Sequence, residues 1–131
     1  MIQGVGTDII EVQRIERSIQ RYGQRFLDRL FTPNEQAYCL RHRDSGRHLA
    51  GRFAAKEAIA KALGTGLSET IGWLDMEIIN DRNGKPEVTL SPRLLEALGP
   101  LHLNISISHS RDYAVAFAIC ETTTDKGLSR K

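Results

Sequence analysis

Apolar and polar positions alternate at two different periods along this chain. Val5 to Ile10 is a short, β-branched apolar run that predicts a strand, with Asp8 near its end. Val12, Ile15, Ile19 and Tyr22 recur at helical spacing, and Gly23 is a natural stop. Phe26 to Phe31 predicts another short helical turn. Thr32-Pro33-Asn34-Glu35 combines an N-cap, a proline at the first helical position and a capping-box acid, so a helix should run to about Arg43. Asp44-Ser45-Gly46 breaks it. A long alanine-rich helix follows, closed by Gly64 or Gly66. Met76 to Ile79 and Glu87 to Leu90 flank Asn83-Gly84, a strong hairpin signal. Ser91-Pro92 opens a short helix that Gly99-Pro100 ends, and His102 to Ser108 with Tyr113 to Ile119 forms a second hairpin. The hairpins force antiparallel pairing. The predicted class is α+β, an antiparallel β-sheet packed on the long alanine-rich helix.

That helix is the anomaly of the pattern. At 100° per residue its apolar side chains point in nearly every direction, as in a helix buried on most sides. Arg52, Lys56, Glu57 and Lys61 nevertheless share one half of the circumference. Burying charge costs several kcal/mol unless it is paired, metal-bound or offered to a ligand.

The chain has 131 residues, enough for one domain with a real but modest core. Apolar content of 40% and charged content of 26% fit a globular protein. A net charge of +2 does not by itself imply nucleic-acid or membrane binding. Cys39 and Cys120 lack zinc or redox spacing, no apolar run is long enough to span a membrane, and the N-terminus lacks signal-peptide blocks. The expectation is a cytoplasmic single domain over residues 1–120, followed by a frayed tail over 121–131, which has little to bury.

Asp8 follows Gly4-Val5-Gly6-Thr7, where glycines let a backbone or ligand come close. It is a candidate metal ligand or base; the plain alternative is a cap on the following helix, with Glu11 as capping-box partner. Glu57 tips the balance, because two isolated carboxylates match the preference of Mg²⁺ for one or two protein carboxylates plus substrate phosphates. Glu57 and Lys61 stand at i and i+4, an ordinary salt bridge on an exposed helix and a more pointed pair on a buried one. Arg52 and Lys56 repel at the same spacing, which an anion such as phosphate between them would relieve. Gly64-Thr65-Gly66 offers backbone N–H groups at the helix exit, although the spacing is not that of a P-loop. His109 at a strand end is either a satisfied structural residue, the commoner case, or, beside Ser110 and Arg111 at a hairpin tip, a partner for phosphate. No histidine pair has zinc spacing, and there is no Gly-x-Ser-x-Gly nucleophile elbow. Arg14, Arg17, Arg21 and Arg25 fall within about 80° of arc at 3.6 residues per turn. They are either a solvated stripe or a docking face for an acidic partner.

Taken in order, Gly6-Thr7-Asp8-Ile9-Ile10-Glu11-Val12 with Arg14-Ile15, Arg52-Phe53-Ala54-Ala55-Lys56-Glu57-Ala58 with Lys61-Ala62 and Gly64-Thr65-Gly66, Asn83-Gly84-Lys85-Pro86, and Ile107-Ser108-His109-Ser110 resemble the holo-acyl-carrier-protein synthase family, the short bacterial 4′-phosphopantetheinyl transferases. The resemblance runs from about Ile2 to Ile119, with Ser110 where many relatives have threonine. It implies transfer of the phosphopantetheine arm of coenzyme A to a serine of an acyl carrier protein, with release of adenosine 3′,5′-bisphosphate, in support of fatty acid biosynthesis. It also implies the family's fold and a homotrimer whose sites straddle subunits and whose neighbour covers the long helix. Asp8 and Glu57 would hold Mg²⁺; Asp8 or a metal-bound water would serve as base, and Lys61 would stabilise or protonate the leaving phosphate. Arg52, Gly64, Thr65, His109 and Ser110 would line the coenzyme A site, with Pro86 near the nucleotide and Lys56 as a further phosphate contact. The arginine stripe, chiefly Arg14 and Arg21, would receive the carrier protein. Two rivals use the same residues: a metal-dependent phosphohydrolase, and a non-catalytic adaptor binding acidic protein or RNA through the stripe.

Overall fold

The computed structural model describes residues 1–64 and 71–122; Thr65, Gly66 and the expected tail beyond 122 lie outside them. Strand β1 (Ile2–Glu11) runs into helix α1 (Val12–Tyr22), and Gly23, at φ 63°, turns the chain into α2 (Gln24–Leu30). That left-handed conformation is cheap only for glycine. Helix α3 (Pro33–Leu40) begins on the expected capping box: Thr32 Oγ1 accepts from the Glu35 amide, and Glu35 Oε1 accepts from the Thr32 amide. The long helix α4 (Ser45–Ala62) leads, through a stretch outside the described residues, to the hairpin β2 (Met76–Asn80) and β3 (Pro86–Leu90). Helix α5 (Pro92–Leu98), capped by Ser91, precedes the second hairpin, β4 (Leu101–His109) and β5 (Tyr113–Thr122).

The larger sheet is antiparallel in the order β1-β5-β4, so the first strand pairs with the last. One face of it lies on α4. The contact is built from small residues: Gly4 and Gly6 on β1, Ala114, Ala116 and Ala118 on β5, against Ala54, Ala55, Ala58 and Ala62 of the helix. A Cβ added to Gly6 would lie 2.0 Å from the Ala58 carbonyl oxygen, and one on Gly4 would lie 2.1 Å from that of Ala62. The strand backbone therefore rests directly on the helix backbone.

Several expectations change. Helix α3 stops at Leu40, short of Arg43, and α4 starts at Ser45, so Gly46 lies within a helix rather than breaking one. Its missing side chain makes room for the carboxyl end of Glu16, which a Cβ would meet at 2.4 Å. Helix α1 starts without a side-chain cap, so Asp8 and Glu11 do not cap it. Arg25 belongs to α2, beyond the Gly23 turn, and not to the α1 stripe. Strand β5 extends to Thr122, two residues into the expected frayed tail, because Ile2 pairs with Glu121 and the Thr122 amide donates to the Met1 carbonyl. Helix α4 is enclosed by β1, β5, β4, α1 and α3 of its own chain, and needs no neighbouring subunit to cover it. Among the described residues, no helix is long and apolar enough to cross a membrane.

Candidate active site

The alternation of β1 turns Gly4, Gly6, Asp8 and Ile10 towards α4. Because the two glycines bring the strand onto the helix, the next inward residue, Asp8, arrives beside the last turns of α4. There Lys61 Nζ donates to Asp8 Oδ1 at 3.2 Å and to the Thr7 carbonyl at 2.9 Å. Glu57, one turn before Lys61, completes the group. Burial pushes its carboxyl above the usual carboxylate range, the Asp8 charge adds to that, and Lys61 offsets only part of it. A carboxylate whose ionisation is opposed by burial and by a second carboxylate, an opposition that Lys61 only partly offsets, fits a divalent cation: it would relieve the repulsion and accept oxygen ligands from both groups. Asp8, Glu57 and Lys61 are thus brought together from 53 residues apart in the chain.

The other predicted residues divide. Lys56 is wholly buried, and its ammonium donates to Glu35 Oε1 at 2.7 Å, the Leu30 carbonyl at 2.8 Å and the Trp73 carbonyl at 3.0 Å. All three of its donors are committed, so it is a structural cation and not a phosphate contact. Arg52 is also buried, held against the Asn80 side-chain oxygen and 4.8 Å over the Tyr38 ring, but its Nε has no partner among the described residues. It lies beside a groove that Tyr38, Arg41, Asn80 and Arg82 line. Arg52 and Lys56 therefore do not share an anion between them. Gly64, at φ 85°, ends α4, its amide donating to the Lys61 carbonyl. Pro86 opens β3 and lines a second groove with Lys85, Leu103 and Asn104.

His109 ends β4 on the other half of α4, its ring 5.2 Å from that of His48 and close to Gly51. Ser110 closes the β4–β5 turn: its amide donates to the Tyr113 carbonyl, and its Oγ accepts from the Tyr113 amide at 3.3 Å. Arg14, Arg17 and Arg21 are exposed and line a shallow groove with Ser18 and Tyr22, while Arg25 and Arg29 flank the next one with Phe26.

Two features carry little local signal in the sequence. Glu35 reads as a capping-box acid, yet its Oε2 also accepts from the Ile78 amide at 2.7 Å and its Oε1 neutralises Lys56, 21 residues away. Asp44 and His48 stand at i and i+4 at the start of α4, but the two histidines have no helical metal spacing; the turn between α3 and α4 brings His42 to the pair, with candidate ligand atoms within 4.8 Å of one another. Burial, and after it the stacked ring of His42, hold the His48 imidazole below its ordinary proton affinity.

Comparisons with known proteins identify the family. Residues 4–118 match the model of the 4′-phosphopantetheinyl transferase superfamily. The chain is 59% identical over 119 residues to the holo-acyl-carrier-protein synthase of Protochlamydia amoebophila (strain UWE25), across 91% of this chain and 98% of that one. It superposes on the crystal structure of the Neisseria meningitidis holo-acyl-carrier-protein synthase with a TM-score of 0.86 at 39% identity, covering 93% of this chain and 100% of the other. It is also similar to the Helicobacter pylori enzyme solved in complex with coenzyme A, with a TM-score of 0.83 at 33% identity over 89% of this chain and 99% of that one. The chain belongs to the 4′-phosphopantetheinyl transferase superfamily, among the holo-acyl-carrier-protein synthases.

Proposed function

We propose that this chain transfers the 4′-phosphopantetheine group of coenzyme A to a serine of an apo acyl carrier protein, in support of fatty acid biosynthesis. The observation that carries the reading is the meeting of Asp8, Glu57 and Lys61 at the end of α4. The partner's serine oxygen forms a bond to the phosphorus that bears the pantetheine arm. The bond from that phosphorus to the bridging oxygen breaks, and adenosine 3′,5′-bisphosphate leaves. Asp8 and Glu57 would hold Mg²⁺, which neutralises charge on the diphosphate oxygens when bound. The serine proton passes to Asp8 or to a water beside it. Lys61, half-exposed and already oriented by Asp8, stabilises the leaving phosphate. Arg52, Gly64, His109 and Ser110 line the coenzyme A site with Thr65, and Pro86 lies near the nucleotide. Arg14 and Arg21, with Arg17 and Arg25 alongside, receive the acidic carrier. A cytoplasmic location belongs to the same reading, in keeping with two free cysteines.

The chain also assembles as a homotrimer in this proposal. Its support is the outer face of the β1–β5 sheet, which leaves Val5, Ile9, Tyr113, Val115 and Phe117 exposed side by side.

Incubation of the purified chain with coenzyme A, Mg²⁺ and an apo carrier protein, followed by intact-mass measurement, tests the function. The carrier should gain the phosphopantetheine mass, and Glu57→Gln should abolish nearly all turnover. Coenzyme A breakdown with no mass on the carrier would sink the transferase reading in favour of a phosphohydrolase.

A further inference from the structure

The turn between α3 and α4 holds a group of side chains to which the proposed transfer assigns no role, although His48 lies 5.2 Å, ring to ring, from His109 of the proposed coenzyme A site. Asp44 is the N-cap residue of α4, yet its carboxylate makes no capping hydrogen bond to the helix amides. It turns away instead. Oδ1 lies 3.4 Å from His48 Nε2, and Oδ2 is held by Arg47 at 3.2 Å. An aspartate at this position normally satisfies an orphan helix N–H, so this orientation forgoes an available partner. The His42 ring stacks on His48 with centroids 4.0 Å apart, and its Nε2 is buried without a hydrogen-bond partner among the described residues. One candidate ligand atom from each of His42, Asp44 and His48 falls within 4.8 Å of the other two.

We propose that His42, Asp44 and His48 bind a borderline-soft divalent cation of the zinc class. Bonds of about 2.0–2.1 Å in a tetrahedral shell place neighbouring ligand atoms roughly 3.4 Å apart, so the Asp44–His48 edge already has the required length. Rotation of the half-buried His42 side chain closes the other two edges. Water fills the fourth position. Arg47 orients the ligating carboxylate, as second-sphere partners of metal ligands commonly do. The Asp44 charge offsets the unfavourable placement of a cation at a helix N-terminus.

Donor chemistry separates this site from the carboxylate pair. Two imidazoles and one carboxylate suit zinc, cobalt or nickel, whereas Mg²⁺ favours an all-oxygen shell. His48 and Glu57 are nine positions apart on α4, roughly 14 Å along its axis at 1.5 Å per residue. Each site can therefore be filled without the other.

The test is calorimetric titration of tag-free full-length protein with Zn²⁺ in the presence of millimolar Mg²⁺, with Co²⁺ as a visible-absorption probe. The expected result is one Zn²⁺ per chain, and a Co²⁺ spectrum of low coordination number. His42→Gln and His48→Gln should each weaken Zn²⁺ binding by tenfold or more, while Glu57→Gln leaves it unchanged. In the unaltered protein, Zn²⁺ should shift the ring proton resonances of His42 and His48 but not those of exposed His102, which needs no variant to fold. Zn²⁺ binding lost with Glu57→Gln, binding that survives both histidine replacements, or unmoved His42 and His48 resonances would each overturn the site. None of these readouts depends on transferase activity.

Discussion

Lys56 and Glu35 form a wholly buried ion pair at the place where α3, α4 and β2 meet. Burial pulls the Lys56 ammonium below its ordinary proton affinity, and the Glu35 charge opposes that. Two backbone carbonyls take the remaining ammonium protons, and two backbone amides use the remaining carboxylate capacity. A pair so completely satisfied is expensive to break on one side only. Glu35→Ala should lower unfolding free energy by about 3–5 kcal/mol, because it leaves a buried cation without a counterion. Replacing both residues by apolar ones of similar volume, Glu35→Leu with Lys56→Met, should cost less than Glu35→Ala alone. Urea denaturation of the three variants measures this. A single substitution as mild as the double one would mean that the charges are not coupled.

Among the elements, the contact of β1 with α4 decides where the chemistry sits. Gly6 has no room for a side chain, since backbone and not a movable group faces it. Gly6→Ala should therefore push β1 off the helix, destabilise the fold by roughly 1–3 kcal/mol as overpacking does, and displace Asp8 from Lys61. Turnover should fall more steeply than melting temperature, and a variant with full activity would show that Asp8 tolerates a shifted strand. Much of this level was legible in advance, because its signals are local. The Thr32–Glu35 capping box, the Asn83-Gly84 hairpin and the Gly23 stop each depend on residues a few positions apart, and the Gly4/Gly6 pair marks a close approach although not what approaches. What was not legible depends on distant partners or on the path of a turn. The Lys56 charge reads as ligand-facing because its counterion comes from another helix; the His42–Asp44–His48 cluster is close in sequence but forms only through the geometry of the turn where one helix hands over to the next. The all-round burial of α4 was evident in its alanines, but they could not say whether the cover was its own sheet or a neighbour.

At the scale of the whole molecule, the two faces of the β1–β5 sheet are unlike each other in an unusual sense. Along β5 the small residues Ala114, Ala116 and Ala118 point into the core, while Tyr113, Val115 and Phe117 point out. Across the pairing register Ile9 lies opposite Val115, and Thr7 opposite Phe117, so β1 extends the outer patch. Ile9 is 62% exposed and Phe117 43%. Contiguous apolar surface of this kind is a common mark of an interaction site, and it is what supports the proposed trimer. Because the inner face already fits α4 through small side chains, the large residues outside have no role in the chain's own core. Val115→Asp with Phe117→Glu should thus leave the circular-dichroism spectrum nearly unchanged and convert the assembly to monomers in light scattering coupled to size exclusion. The unaltered protein should elute at three chain masses. If the coenzyme A site straddles subunits, turnover should fall together with the trimer, and concentrating the variant should restore part of both. A monomeric unaltered protein would remove the trimer from the proposal, and a monomeric variant with full turnover would confine the active site to a single chain.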